Sequence, residues 1–441
     1  MLAVRASHDT PFPRVVIFRM MHRMTTLLRT PDQNRPRISL VGAVDLCRLA
    51  VSHHDPIERR SAMGQFPTPP PIARFMASLF SEHGGAISLL DAGAGVGSLT
   101  AAFVAEMCGR STKPKAIHAT GSELDKNLAD HLFKTGDLCA SECETHGVQF
   151  TQTVIARDFI KSSIDVLNGS LFLPPTQFNC AILNPPYKKI KADSEYRRLL
   201  RSHGIESNNL YTAFLTLAIL MLKPGGELVA ITPRSFCNGP YFKPFRSFFL
   251  DQMALRRIHI FDSREAAFAQ DGVLQENIIF HAVKCSDRSD PVTVSSSFGP
   301  ADPAITQRQV AFGDLVKPDD KHRFIHIVPD ESSNRVSRYA EGLRNNLSDL
   351  GLAVSTGRVV DFRARHLLRQ DPGEDTVPLI YPGHFVRGHI SWPKAGARKP
   401  NAIVSSHESN DLLIDSAVHV LVKRFSAKEE KRRIVAAVFN P

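Results

Sequence analysis

From residue 87 onward, short apolar runs alternate with stretches in which apolar residues recur at every third or fourth position. The runs predict strands over 87–92, 116–123, 148–156, 178–183 and 226–232, and the periodic stretches predict helices over 96–108, 126–134, 159–166 and 208–222. Such alternation builds a mostly parallel sheet with helices on both faces, because a parallel crossover needs a helix-length connection. Lys223-Pro-Gly-Gly226 halts the last helix, and two more apolar runs at 254–261 and 277–283 suit an antiparallel end to the same sheet. Ahead of this region only 41–53 is amphipathic. Behind it, residues 286–304 are rich in Ser, Asp and Pro and mark a boundary, after which periodicity is weak apart from a short helical stretch at 427–438.

With 441 residues the chain exceeds one ordinary domain. It divides into a loosely ordered extension with one helix (1–60), an α/β domain (61–286) and an irregular α+β region (287–441). A hydrophobic fraction of 43% against 22% charged residues excludes general disorder. The longest apolar stretch, 210–222, is shorter than the roughly 20 residues of a membrane span. Seven scattered cysteines without a C-x-x-C pair read as reduced thiols in a cytoplasm, not as disulfides or a zinc site. The formal charge of +10 points to a polyanion, but residues 1–65, with ten arginines, no lysine and five acids, supply half of it. This arginine-rich start has the composition of an organellar transit peptide; Met20, Met21 and Met24 equally fit a start codon placed too far upstream.

Chemistry concentrates where predicted strands end. After the first strand, Asp91-Ala-Gly93-Ala-Gly95-Val-Gly97-Ser98 forms a turn that lets a ligand approach the backbone at a helix N-terminus. Ser98 stands where a dinucleotide fingerprint wants Gly or Ala, and the Gly-Lys-Ser/Thr of a P-loop is missing. Glu123 ends the second strand, where a carboxylate can accept hydrogen bonds from a ribose diol. Asp158 and Phe159 follow the third; they suit an adenine amino group and ring, and equally a helix N-cap and a core residue. The fourth strand delivers Asn184-Pro185-Pro186-Tyr187. The Asn184 side chain and the Pro185 carbonyl can accept both hydrogens of an exocyclic amine, which favours a pyramidal nitrogen with an available lone pair, while Tyr187 stacks on the base. Upstream, Phe66-Pro-Thr68-Pro69 reads as a helix entry capping a ligand-facing loop. No H-E-x-x-H or comparable metal spacing occurs among the 18 histidines.

In order, GQF-x-TP, D-x-G-x-G-x-G and NPPY, followed by a separate C-terminal region, resemble the γ-class DNA adenine-N6 methyltransferases of type II restriction-modification systems. Residues 352–362 and 378–384 are similar to the target-recognition region of the PstI/BsuBI-type subfamily. This resemblance implies a Rossmann-like class I fold with a mixed seven-stranded sheet and a C-terminal target-recognition domain, which a shortened copy of the chain would leave incomplete. It implies S-adenosylmethionine as cofactor, without metal, held by Thr68, Pro69, Asp91, Gly93, Gly95, Gly97, Glu123, Asp158 and Phe159. It assigns Asn184, Pro185, Pro186 and Tyr187 to a flipped adenine, with Phe268 as the further aromatic. Double-stranded DNA would meet Arg358, Arg363, Arg365 and Arg387. The enzyme would be a cytoplasmic, nucleoid-associated bacterial monomer, with a restriction endonuclease as genetic partner but no stable complex. Two other classes stay open: an N-methyltransferase acting on ribosomal RNA or protein glutamine, and a catalytically inactive DNA-binding relic.

Overall fold

All seven apolar runs predicted as strands pair into one sheet. The computed structural model describes residues 38–54, 66–169, 177–261, 276–285, 287, 291–327, 335–336, 339–340, 342–345, 347–426 and 431–441. Strands β1 (Ala86–Ala92), β2 (Ala116–Ser122), β3 (Gln149–Ile155), β4 (Phe178–Leu183), β5 (Leu222–Pro233), β6 (Ala254–Phe261) and β7 (Asn277–Val283) are joined by β8 (Val292–Ser297) and β9 (Thr306–Val310) in the order β3-β2-β1-β4-β5-β7-β6-β8-β9. The first five run parallel, and β7 lies antiparallel between β5 and β6. This is the Rossmann-like class I arrangement, lengthened from the expected seven strands to nine.

The two extra strands correct the expected border at 286. Val292 and Val294 within the Ser-rich stretch are buried on either side of the half-buried Thr293, and β8 pairs in parallel with β6 from Arg257↔Thr293 to Phe261↔Ser297. The first compact unit therefore runs to Ser337 and the second covers Arg338–Pro441.

Period-two alternation puts a core on each face of the sheet. Leu89, Cys180, Ile182, Val229 and Ile231 face one cluster, filled by α1 (Leu40–His54), α2 (Pro70–Ser78), α3 (Ser98–Gly109) and α4 (Lys126–Thr145). Leu90, Ala181, Leu183, Leu228 and Ala230 face the other, filled by α5 (Phe159–Leu167), α6 (Glu195–Arg201), α7 (Leu210–Met221) and α8 (Lys243–Gln252). Helix α1 falls where a helix was expected, but it is no loose leader: Leu40, Val41, Ala43 and Val44 are buried in the first cluster. Helix α4 outruns its predicted end at 134 because Gly136, normally a helix breaker, packs beneath Gln152 of β3, whose side chain would collide with any Cβ there. Among the described residues, no helix is long and apolar enough to cross a membrane, and all seven cysteines are free.

The second unit has two small sheets. β10 (Leu368–Arg369), β14 (Ala402–Val404) and β11 (Thr376–Pro378) form one; β12 (Phe385–Val386), β13 (His389–Ile390), β16 (Ala436–Phe439) and β15 (His419–Val422) form the other. Strand β16 replaces the end of the helix expected at 427–438, because its residues pair antiparallel with β15 from His419↔Phe439 to Val422↔Ala436. Leu367, Leu379 and Ile403 make a small apolar core. Beside it lies a buried polar knot. The His384 ring accepts from Tyr381 N at Nδ1 (2.9 Å), which leaves Nε2–H to donate to Asn401 Oδ1 (2.9 Å). Asn401 also donates to the carbonyls of Gln370 (2.9 Å) and Lys394 (3.1 Å), and its own carbonyl accepts from the Trp392 indole (2.6 Å).

Candidate active site

Strand order reverses at β1, which has β2 on one side and β4 on the other. The pairs Leu89↔Cys180 and Asp91↔Ile182 bring the two strands out level, so the glycine turn and the Asn184 turn emerge side by side. Between them opens a cavity of about 420 Å³, the size of a small-molecule site.

Gly93, Ala94 and Gly95 form its floor, all on the wall of the cavity. The turn is fastened to β2 by Gly93 N and Ala94 N, which donate to the Ser122 carbonyl at 2.9 and 3.0 Å. Gly95, at φ +57°, has open space where a Cβ would stand, and that is the room a ligand needs. Gly97 serves packing instead of the cavity. At φ +87° its Cβ would lie 2.8 Å from Thr135 and 2.9 Å from Leu132 of α4, so only glycine lets α3 start there.

Three acids end the first three strands. Asp91 does not reach the wall; its Oδ2 accepts from Thr100 N (3.2 Å) and Thr100 Oγ1 (2.7 Å), pinning the start of α3, and Oδ1 has no partner. Burial pushes its carboxyl up to about 7, opposed by the Thr100 bonds and helped by the charge of Glu123. Glu123 lies on the wall. One of its oxygens accepts from Gly95 N (2.9 Å) and the other from Asp125 N (2.8 Å), which leaves lone pairs on both for a diol. Burial raises this carboxyl, against the pull of those N–H groups. Asp158 does two jobs, capping α5 through Lys161 N (3.0 Å) and lining the cavity, where its other oxygen accepts from Tyr196. Phe159 packs on Phe214 with ring centroids 4.8 Å apart, and both rings reach the wall.

Asn184 has a fixed orientation. Its amide nitrogen donates to the Phe66 carbonyl (2.8 Å) and to Thr68 Oγ1 (3.0 Å), so Oδ1 points the other way as an acceptor. The Tyr187 hydroxyl lies 2.9 Å from that Oδ1 and 3.1 Å from the Ile231 carbonyl; with one proton it can serve either. Burial, then the neighbouring Tyr211, drives this phenol well above its usual range, so it stays a donor. Thr68 is therefore not the expected helix cap: Pro69 takes that position without a side-chain bond, and Thr68 ties the Pro-rich entry to Asn184. Asn184, Pro186 and Thr68 line the cavity, whereas Pro185, Tyr187 and Pro69 are not part of its wall. Phe268 falls outside the described residues.

Several wall residues escaped the sequence reading. Lys188, Lys189, Ile190, Lys191, Ser194 and Tyr196 carry the chain from the Asn184 turn along the same cavity to Asp158. From the other side, α1 contributes Arg48, Val51 and Ser52. A signal for Arg48 existed, since it sits on the apolar stripe Val41, Val44, Arg48, where a charge is out of pattern. Another cluster lies away from the cavity: Glu227 accepts from His83 (2.9 Å), His281 (2.8 Å) and Ser81 N (3.0 Å), with Cys180 Sγ 3.6 Å from His83. The ligand atoms of His83, Cys180 and Glu227 lie close enough together to hold a metal ion, yet Glu227 is already satisfied by the two histidines and Ser81. In the second unit Arg358 is bound to the carbonyls of Asp411 (3.1 Å) and Leu413 (3.4 Å), holding a segment in place. Arg363 and Arg365 are exposed, as is Arg387 at φ +49° in the two-residue turn between β12 and β13.

Comparison with known proteins agrees with this anatomy. Residues 57–268 match the family described as Eco57I restriction-modification methylase. The chain is 45% identical over 404 residues to the type II methyltransferase M.PstI of Providencia stuartii, covering 92% of this chain and 79% of that one. It is 41% identical over 406 residues to the type II methyltransferase M.BsuBI of Bacillus subtilis, covering 91% and 79%. Among solved structures, a class I S-adenosylmethionine-dependent methyltransferase of Listeria monocytogenes, described as putative, aligns with TM-score 0.43 at 16% identity, over 65% of this chain and 93% of that one.

Proposed function

The chain belongs to the type II methyltransferases of restriction-modification systems, and from that premise we propose that it methylates N6 of an adenine swung out of duplex DNA, using S-adenosylmethionine. The observation that carries the reading is the locked Asn184 amide. Both its hydrogens are spent on Phe66 and Thr68, so Oδ1 is an acceptor at the cavity before any substrate arrives. An adenine N6 needs that arrangement. Its lone pair is delocalised into the ring, and accepting both its hydrogens, at Asn184 Oδ1 and the Pro185 carbonyl, turns the lone pair out of conjugation and toward an electrophile. Oδ1 has two lone pairs, so the Tyr187 hydroxyl can keep its bond there or pass it to Ile231 while the ring meets the base. Flipping is required because N6 lies inside the stack.

The cavity residues fit the cofactor. Glu123 offers two acceptors to ribose hydroxyls, Asp158 and Phe159 an acceptor and a ring to adenine, and Gly95 free space against the backbone. When bound, S-adenosylmethionine supplies an electrophilic methyl on a sulfonium sulfur. The protein's own work is positioning: it holds amine and methyl donor in one cavity and needs no covalent adduct. Arg363, Arg365 and Arg387 would contact DNA phosphates or guanine edges. A monomer acting in a bacterial cytoplasm, beside a restriction endonuclease that it does not bind stably, completes the proposal.

Its test is methylation of plasmid DNA by the wild type and by Asn184→Ala, read as N6-methyladenine at single sites, with S-adenosylmethionine binding measured in parallel. Site-specific N6-methyladenine that vanishes in the variant while cofactor binding persists supports the reading. Transfer into ribosomes or release factors but not DNA overturns the substrate, and DNA binding without cofactor binding overturns the activity.

A further inference from the structure

The amino-acid end of the cofactor proposed above carries a carboxylate, and none of the motif residues supplies it a cation. Five basic side chains lie on the cavity wall: Arg48, Arg157, Lys188, Lys189 and Lys191. Four of them are exposed. Only Arg48 is buried, at 7% exposure, on α1, ahead of all the strand-end motifs. A buried guanidinium needs an anion, because the cost of its lost hydration is otherwise unmet. Asp45, one turn earlier on α1, meets part of that need: its Oδ1 accepts from Arg48 Nε at 2.6 Å. That bond uses Nε, and among the described residues the two outer nitrogens have no hydrogen-bond partner, while Arg48 itself lines the cavity.

Ser52 supplies an independent observation. It stands one turn after Arg48, on the same face of α1 and the same cavity wall, and its Oγ is buried without any hydrogen-bond partner. Serine hydroxyls at i+4 in a helix usually bond back to the carbonyl one turn before. This one does not, and a buried unsatisfied hydroxyl costs stability unless a ligand completes it. A guanidinium with an open edge and an orphaned hydroxyl, one turn apart, match the two oxygens of a carboxylate: two parallel N–H bonds on one side and one O–H bond on the other.

We propose that Arg48 and Ser52 of α1 form the binding site for the carboxylate of the cofactor's methionine moiety. The site rests on the reading of the cavity as an S-adenosylmethionine site, and it extends the cofactor site beyond the strand-end motifs into the N-terminal segment. Helix α1 is then a working wall of the active site, held there by the apolar contacts of Leu40, Val41 and Val44.

Two ligands separate this proposal from the reading beneath it. S-adenosylhomocysteine has the amino-acid end; 5′-methylthioadenosine keeps the nucleoside and thioether but lacks it. Their affinities are to be measured by calorimetry on the full chain as wild type, Arg48→Gln, Arg48→Lys and Ser52→Ala. Arg48→Gln should weaken S-adenosylhomocysteine about 10- to 100-fold, as loss of a charge-assisted pair does, and leave 5′-methylthioadenosine within about 2-fold. Arg48→Lys should fall between, keeping the charge but losing the paired geometry. Ser52→Ala removes an atom that holds nothing in the free protein, so it should fold as the wild type does and lose about 3- to 10-fold for S-adenosylhomocysteine alone. Equal losses for both ligands, or none for S-adenosylhomocysteine, overturn the proposal while the cofactor reading stands. Failure of the wild type to bind either ligand overturns both.

Discussion

The two units of this protein are stabilised by opposite means. The first buries Leu89, Val229 and Ile231 on one face of a long sheet and Leu90, Leu228 and Ala230 on the other, so its order comes from packed apolar area. The second has three buried apolar side chains at its centre and depends on the bonds that meet at Asn401. Apolar packing spreads its energy over many contacts, whereas a polar knot concentrates it in a few atoms that must all be satisfied. The same contrast suits the roles proposed above. A rigid sheet can fix Asn184 and Glu123 at strand ends for chemistry, and a loop-rich unit can present Arg365 and Arg387 on exposed turns to a long charged surface.

The sharpest way to break the comparison is Asn184→Ala. Removing one preorganised acceptor should lower methylation about 10²- to 10³-fold, with cofactor affinity and thermal stability near wild type, measured by single-turnover methyl transfer. A matching loss of stability would mean that the first unit, too, hangs on one polar residue. Next in size is Asn401→Ala. It orphans His384 and the carbonyls of Gln370 and Lys394, and should cost the second unit about 3 kcal/mol. Limited proteolysis should then cut the second unit first, and DNA affinity should fall while cofactor binding holds. Gly97→Ala probes the apolar side: a methyl group forced against Thr135 and Leu132 at positive φ should cost about 2 kcal/mol by urea denaturation.

How much of this could be read from the chain follows from the same physics. The strand ends were legible because apolar runs repeat with a period and a motif follows each one; Asp91, Glu123 and Asn184 all sit where their runs stop. Asp91 shows the limit: a motif gives the residue, but only the fold shows its side chain turned to Thr100 and away from the cavity. Strands β8 and β9 were hidden by a composition that imitates a linker. In the second unit there was little to see, since bonds from Asn401 to distant carbonyls leave no periodic trace. Arg48 was passed over for the opposite reason. The helix around it was legible, but the charge on its apolar stripe carried no motif.

Two buried carboxylates in the first unit test whether apolar packing really governs there. Glu227 is the counter-case, a polar knot inside that unit. Burial raises its carboxyl, but the bonds from His281 and His83 outweigh burial and hold it well below the usual range. Its stabilising contribution is therefore present above the usual carboxylate range and is lost as pH falls. Glu227→Gln should cost about 2 kcal/mol at neutral pH, and that deficit should shrink on acidification. A deficit that does not change with pH would show that the knot works by shape alone.

Asp91 has the opposite sign and the smallest expected effect. Its carboxyl is raised to about 7, so its contribution is full below the usual carboxylate range and drains away as pH rises through about 7. In Asp91→Asn the amide oxygen can keep both Thr100 bonds and nothing ionises. The variant should therefore gain about 1 kcal/mol on the wild type between pH 6 and pH 7, read as the difference between two urea-denaturation series. A flat difference would mean that Asp91 is already ionised in the folded protein, with its unpartnered oxygen met by water or by a bound ligand. The sheet's apolar packing would then admit solvent at the end of β1, directly behind the glycine turn, and the contrast between a packed unit and a bonded one would stop short of the active site.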